Sequence, residues 1–268
     1  MNDAPLGVFD SGIGGLTVAR ALFERLPHEA VLYFGDTARV PYGPKSPETV
    51  RRYSAEILAY LIGRGVKAVI VACNTSTAHA LDHLRSRASV PVVGVIEPGA
   101  RAAVAASRSG TIGVIGTVGT VASGAYERAI KGLRPDATVV SAACPLFVPL
   151  VEEGWFDHPA AELIARDYLE PLRRSGVDIV VVVLGCTHYP LLKPLLQRVL
   201  GAGVQLIDSA EETAAQVVKE LAARDLAASA RPRPEHVFAV SDDEPRFRRV
   251  GERFLGERLK QVSVVPLG

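Results

Sequence analysis

Ten short runs rich in β-branched residues, separated by segments of helix length, restrict this chain to an α/β fold. The predicted strands are Leu6–Phe9, Val31–Phe34, Ala68–Ala72, Val92–Val95, Thr111–Ile115, Thr138–Ser141, Ile179–Leu184, Gln205–Ile207, Val237–Val240 and Val262–Val265. The runs are apolar at both parities, which predicts strands covered on both faces of a mostly parallel sheet. Between them helices are expected over Leu16–Leu26, Pro47–Arg64, Thr77–Arg87, Gly99–Ser107, Val121–Leu133, Ala160–Arg174, Leu191–Leu200, Ala210–Leu226 and Pro245–Leu255. Ser46 followed by Pro47 reads as an N-cap with proline in the first turn, and Ser209 with Glu212 has capping-box spacing. A length of 268 residues suits about two domains. No Gly/Ser linker divides the chain, and residues 227–234 read as a surface loop.

Composition narrows the class of function. Thirty basic against 29 acidic residues give a net charge of +1, which supplies no electrostatic reason to bind nucleic acid or an acidic membrane. The longest strongly apolar stretch, Ile179–Leu184, is far too short to span a bilayer, and no secretory signal is visible at the N-terminus. With 3 cysteines and no CxxC, a disulfide scaffold is not expected, and a reducing cytoplasm is.

The cysteines carry the most informative pattern. Val69-Ile-Val-Ala-Cys73-Asn74-Thr75 and Val181-Val-Val-Leu-Gly-Cys186-Thr187-His188 each set a cysteine after an apolar strand, then a hydroxyl residue and a helix. This weak internal echo, about one domain apart, suggests two similar α/β halves, each offering a thiol at the carboxyl end of a strand, where open α/β sheets bind ligands. A helix N-terminus behind Cys73 would draw its pKa from about 8.5 towards neutrality. His188 adds an imidazole able to shuttle a proton. Cys144 reads as a small apolar core residue. Zinc on Cys73, Cys144, Cys186 and His188 is the rival reading, but the close paired spacing of structural zinc sites is missing.

Three further segments stand at strand ends. Asp10-Ser11-Gly12-Ile13-Gly14-Gly15 is a Gly-rich turn suited to holding an anion, although it matches neither the ATPase phosphate loop nor the dinucleotide fingerprint. Gly35 to Gly43 presents the hydroxyl of Tyr42 and the unobstructed N–H of Gly43. Cys144 to Trp155 contains Glu152 and Glu153, either of which could face a cleft or lie on the surface.

Two matched thiols suit inversion of a stereocentre: one removes an α-proton while the other delivers a proton to the opposite face. The carbanion beside a carboxylate then needs fixed donors, and Asn74, Thr75, Thr187 and the Ser11 turn are the right kinds of group. Nothing in the sequence marks a pyridoxal-phosphate site.

Taken together, Phe9 to Gly15, Gly35 to Gly43, Ala72 to Thr75 and Leu184 to Pro190 closely resemble the glutamate racemases of the aspartate/glutamate racemase family, in order and spacing. The resemblance implies cofactor-independent interconversion of L- and D-glutamate, with no metal, feeding peptidoglycan and cell-wall synthesis in a bacterial cytoplasm. It implies Cys73 as the base for D-glutamate and Cys186 as the base for L-glutamate, assisted by Asp10 and His188. The substrate-binding pairs are then Asp10 with Ser11, Tyr42 with Gly43, Asn74 with Thr75, and Thr187 with His188. Glu152 looks like a further cleft carboxylate, with Glu153 as its rival. The implied lobes are residues 1–97 plus 208–268, carrying Cys73, and residues 98–207, carrying Cys186. A homodimer is compatible with the resemblance, and the few residues before the first strand give no sign of an N-terminal regulatory extension. An aspartate racemase, a related two-cysteine isomerase or a non-catalytic carboxylate-binding protein are the alternatives.

Overall fold

A computed structural model describes residues 2–230, 234–257 and 259–267. Among them the strands are β1 (Leu6–Asp10), β2 (Val31–Gly35), β3 (Ala68–Val71), β4 (Val92–Gly94), β5 (Thr111–Gly116), β6 (Thr138–Ala143), β7 (Val181–Gly185), β8 (Gln205–Asp208), β9 (Val237–Val240) and β10 (Val262–Val264). They form two sheets, of order β10-β9-β2-β1-β3-β4 and β6-β5-β7-β8. Every pairing is parallel.

The strand order fixes where ligands belong. From β1 the chain adds β2 on one side and then β3 on the other, so the first sheet reverses direction between β1 and β3. The second sheet does the same between β5 and β7. A crevice opens at such a reversal, beyond the carboxyl ends of the two strands. Asp10 ends β1 and Cys73 follows β3. Thr117 follows β5 and Cys186 follows β7. The sequence echo thus marks the same topological position in both sheets.

Burial follows strand position. β1, β2, β3 and β7 are buried along their whole length, whereas the edge strands β6, β8 and β10 are partly exposed. Burial on both faces, expected for all runs, therefore holds inside the sheets and at the edge strand β4, which is buried throughout, but not at the other three edges.

Helix boundaries depart from the sequence expectation in physically legible ways. The helix expected from Thr77 starts at Asn74, with Cys73 itself as N-cap. The one expected from Gly99 spans Ile96–Ala106, because Pro98 in the first turn has no N–H to lose from the helix ladder. The segment expected over Val121–Leu133 splits at Gly124, which is left-handed at φ 64°, into Val118–Ala122 and Ala125–Leu133. Helix Phe147–Glu152 and a 3-10 turn at Thr37–Arg39 were not expected. Ser46 caps its helix as predicted, accepting from the Thr49 N–H at 3.3 Å. Ser209 does not cap: Asp208 Oδ1 accepts from the Ala210 N–H at 2.9 Å, and Ser209 is the first helical residue. The expected surface loop over 227–234 lies partly outside the described residues, at 231–233.

Candidate active site

The Gly-rich turn after β1 touches both cysteine segments. At one end Ser11 Oγ lies 3.7 Å from Cys73 Sγ. At the other, a Cβ on Gly14 would fall 2.5 Å from His188 Cε1, so glycine there lets the turn press against the His188 ring. Thr17 Oγ1, one turn on, donates to the Thr187 carbonyl at 3.2 Å. Asp10 is buried beneath the turn, with Oδ2 accepting from the Gly12 N–H at 2.9 Å. Its other oxygen, Oδ1, is buried without a hydrogen-bond partner. Burial pushes the Asp10 carboxyl up from its ordinary value, partly offset by the nearby His188 and the Gly12 N–H.

Around Cys73 the donors behave as at any helix start. Sγ accepts from the Ser76 N–H at 3.4 Å. Yet the thiol is not acidified as its capping position led us to expect. Burial, together with the Asp10 carboxylate, pushes Cys73 up to about 11, outweighing the Ser76 and Ser11 contacts. The next two residues reach the second sheet. Asn74 Oδ1 accepts from the Tyr126 hydroxyl at 2.8 Å, and Thr75 Oγ1 lies 2.9 Å from Thr117 Oγ1. Asn74 Nδ2 is buried with no acceptor.

Cys186 is placed differently from its counterpart. Pro190 and Pro194 delay the following helix to Lys193–Leu200, and a 3-10 turn, Tyr189–Leu192, intervenes. A neighbouring imidazole stands where Cys73 has a helix N-terminus: His188 Nδ1 lies 3.9 Å from Cys186 Sγ. His188 Nε2 is 3.0 Å from Glu152 Oε1. Burial alone would lower the His188 pKa, but its hydrogen bonds to Cys186 and Glu152 prevail and push it up to about 10. Glu152 is held below the usual carboxylate range, because His188 and Arg246 outweigh its burial. Of the two glutamates, Glu152 bonds His188, whereas Glu153 is two-thirds exposed and meets Arg246 at 3.9 Å.

Tyr42 and Gly43 lie on the loop that follows β2. The Tyr42 hydroxyl donates to Asp36, which is fully buried and also receives Arg39 Nε at 2.8 Å and the Ser241 hydroxyl at 2.8 Å. That cluster anchors the loop so that the Gly43 carbonyl accepts from the Gly119 N–H, across the sheets, at 2.9 Å. Cys144 is a core residue as expected, fully buried with Sγ 3.7 Å from the Ala142 carbonyl. Among the described residues no three His, Cys, Asp or Glu side chains converge as metal ligands would. No helix among them is long and apolar enough to cross a membrane.

Thr117, Tyr126, Asp36 and Arg246 escaped the sequence reading. Thr117 follows a strand at the second reversal point, so the strand-end rule that found Cys186 could have found it. Asp36 has Arg39 and Tyr42 close by in the chain and only Ser241 far away, whereas Tyr126 and Arg246 carry no local signal, since their partners lie far away in the chain.

The arrangement joins two thiols to two proton-holding networks, with unpaired buried acceptor and donor atoms at Asp10 and Asn74. Such atoms are costly unless a bound group pairs them. A zwitterion offers what they lack: an ammonium for Asp10 Oδ1 and a carboxylate for Asn74 Nδ2.

Comparison with known proteins agrees with this chemistry. The Asp/Glu/Hydantoin racemase family model matches residues 15–217. A glutamate racemase of Geobacter metallireducens is 55% identical over 262 residues, covering 98% of this chain and 96% of that protein. The crystal structure of a glutamate racemase isoform from Bacillus anthracis superposes with a TM-score of 0.94 at 41% identity, covering 99% and 98% of the two chains. A Francisella tularensis glutamate racemase in complex with D-glutamate does so with a TM-score of 0.92 at 38% identity, covering 99% and 98%.

Proposed function

The chain belongs to the Asp/Glu/hydantoin racemase family, and from that premise we propose that it interconverts L- and D-glutamate without a cofactor, using Cys73 and Cys186 as paired acid–base groups. The observation that carries the assignment of roles is the Gly-rich turn, which has Cys73 at one end and the His188 ring at the other. Full-length relatives that share the activity support glutamate as the substrate.

With Cys73 pushed up to about 11, its sulfur carries a proton at neutral pH and is loaded as the acid. In the L-to-D direction Cys186 Sγ takes the α-proton from one face and Cys73 Sγ–H gives its proton to the other. In reverse, Cys73 must first be relieved of its proton, and Asp10, whose carboxyl is itself raised by burial, is the neighbouring base. His188, held as an imidazolium by Glu152, returns a proton to the Cys186 side. The intermediate is a carbanion next to a carboxylate. Its charge is met by donors fixed beforehand, chiefly Asn74 Nδ2, the Thr75 and Thr187 hydroxyls and the Gly43 N–H. Ser11 and Tyr42 shape the pocket.

The lobes we assign are residues 1–97 with 208–268, and residues 98–207, each containing one sheet. Three free thiols support a cytoplasmic setting, where the D-glutamate would supply peptidoglycan synthesis.

Racemisation in deuterated water tests the reading. The first D-glutamate formed from L-glutamate should carry deuterium at Cα, and so should the first L-glutamate formed from D-glutamate. Early product that keeps its original hydrogen would sink the two-base scheme. Activity should also survive dialysis against chelator and carbonyl reagents.

A further inference from the structure

The polar chain from Cys186 through His188 to Glu152 continues into the other sheet's layer. Helix Glu244–Leu255 follows β9 and carries Arg246 and Arg253, seven residues apart and so on one helical face. Arg246 Nη2 donates to Glu152 Oε2 at 2.9 Å, and Arg253 Nη1 to the Glu152 main-chain carbonyl at 3.3 Å. That carbonyl belongs to the last residue of helix Phe147–Glu152, where intrahelical partners run out. Room for Arg253 comes from Gly154, at φ 80°, where a Cβ would sit 2.8 Å from Arg253 Nη1. Phe254 of the same helix packs edge-on against the His188 ring, with centroids 5.1 Å apart. One helix therefore grips Glu152 twice and braces the imidazole that Glu152 orients.

A carboxylate bonded through one oxygen can still swing about its last torsions. Binding both oxygens, Oε1 to His188 and Oε2 to Arg246, fixes its plane. We propose that Arg246 is a positioning residue for proton transfer at Cys186: it locks Glu152 so that the His188 ring stays aimed at the sulfur, and it makes that alignment conditional on the two sheets lying together. The inference rests on Cys186 and His188 working as described above. The charged groups facing His188 are Glu152 and Asp10, with Cys186 beside it, while Arg246 also meets Glu153 Oε1 at 3.9 Å.

The test compares Arg246→Gln and Arg246→Lys with the unaltered enzyme. Enantiomers have equal free energy, so kcat/KM must fall by one factor in both directions, and the direction of loss is not diagnostic. The primary isotope effect is. For Arg246→Gln we expect kcat/KM to drop between about tenfold and about a hundredfold, with partial recovery on adding guanidinium and a smaller loss in the lysine variant. The isotope effect on kcat/KM should rise with 2-deuterated L-glutamate, whose hydrogen goes to Cys186, and fall towards one with 2-deuterated D-glutamate. Equal movement for both enantiomers, or no loss of kcat/KM, would overturn the proposal. A second readout needs no activity, and so separates failure of this inference from failure of the functional reading. Followed by nitrogen NMR of the ring, His188 should titrate lower in Arg246→Gln, as it should in Glu152→Gln, because the carboxylate has come loose. Removing a cation that acted only through its charge would move the titration upwards, and that result too would overturn it.

Discussion

At single residues the sharpest constraint is Gly14. A methyl group there would overlap the Thr187 hydroxyl and the His188 ring, and both are buried with little room to retreat. Gly14→Ala should therefore cut kcat by about a hundredfold, the cost expected when a catalytic group is displaced by an ångström or so. It should lower the melting temperature by only a few degrees, because the strain is local. Steady-state kinetics beside calorimetry would check this, and unchanged kcat would mean that the turn does not position His188. Cys73→Ala and Cys186→Ala make the complementary case. Each removes one acid–base group, typically worth at least about a hundredfold, while a small buried side chain at a strand end leaves the fold in place. Circular dichroism with a racemisation assay would separate loss of chemistry from loss of structure.

Between elements, the decisive device is the Asp36 cluster. One buried carboxylate ties Tyr42 and Arg39 of its own loop to Ser241, some two hundred residues on, and so sets the loop that bears Gly43. Asp36→Ala would strand these donors; at about 2 kcal/mol or more for a charged hydrogen-bonded group, we expect a clear fall in melting temperature. A rise in KM for both enantiomers should accompany it, and wild-type KM would show that the loop holds itself. This cluster also shows what the sequence could not disclose. Strand cores such as Val8–Phe9 and Val181–Leu184 announce themselves because burial on both faces demands unbroken apolar runs. The motifs at their carboxyl ends are equally legible, since Gly, Cys and His cluster where chemistry needs them. Asp36 to Ser241 and Glu152 to Arg246 are contacts between distant stretches, and a single sequence has no local feature that pairs them. Helix Phe147–Glu152 was hidden by Pro149, which reads as a breaker but is harmless within the first turn. The acidity expected of Cys73 failed for a related reason: the helix start is local and visible, whereas the burial that outweighs it is a property of the folded whole.

For the molecule as a whole, the protonation of His188 ties stability to pH. Its imidazolium is favoured in the folded protein up to about 10, against an unfolded value near 6.5. Since the folded state holds this proton more tightly, the resulting stabilisation is complete below about 6.5 and is lost as pH rises through about 10. Glu152, held below its ordinary value, acts in the opposite sense and loses its contribution only in acid. His79 and His236, both lowered by burial, also act only on the acid side. Cys73 and the buried tyrosines add to the alkaline loss only above about 9, the ordinary range of a thiol or phenol. Between pH 7 and 9 His188 thus dominates the difference between a protein with its carboxylate partner and one without. There each pH unit should remove on the order of 1 kcal/mol, seen as a falling melting temperature. Glu152→Gln takes away the group that holds the proton, so its melting temperature should start lower at pH 7 and decline less steeply to pH 9. Parallel slopes in the two proteins would show that the His188–Glu152 pair does not carry the charge assigned to it, and the proton supply on the Cys186 side would then need another source.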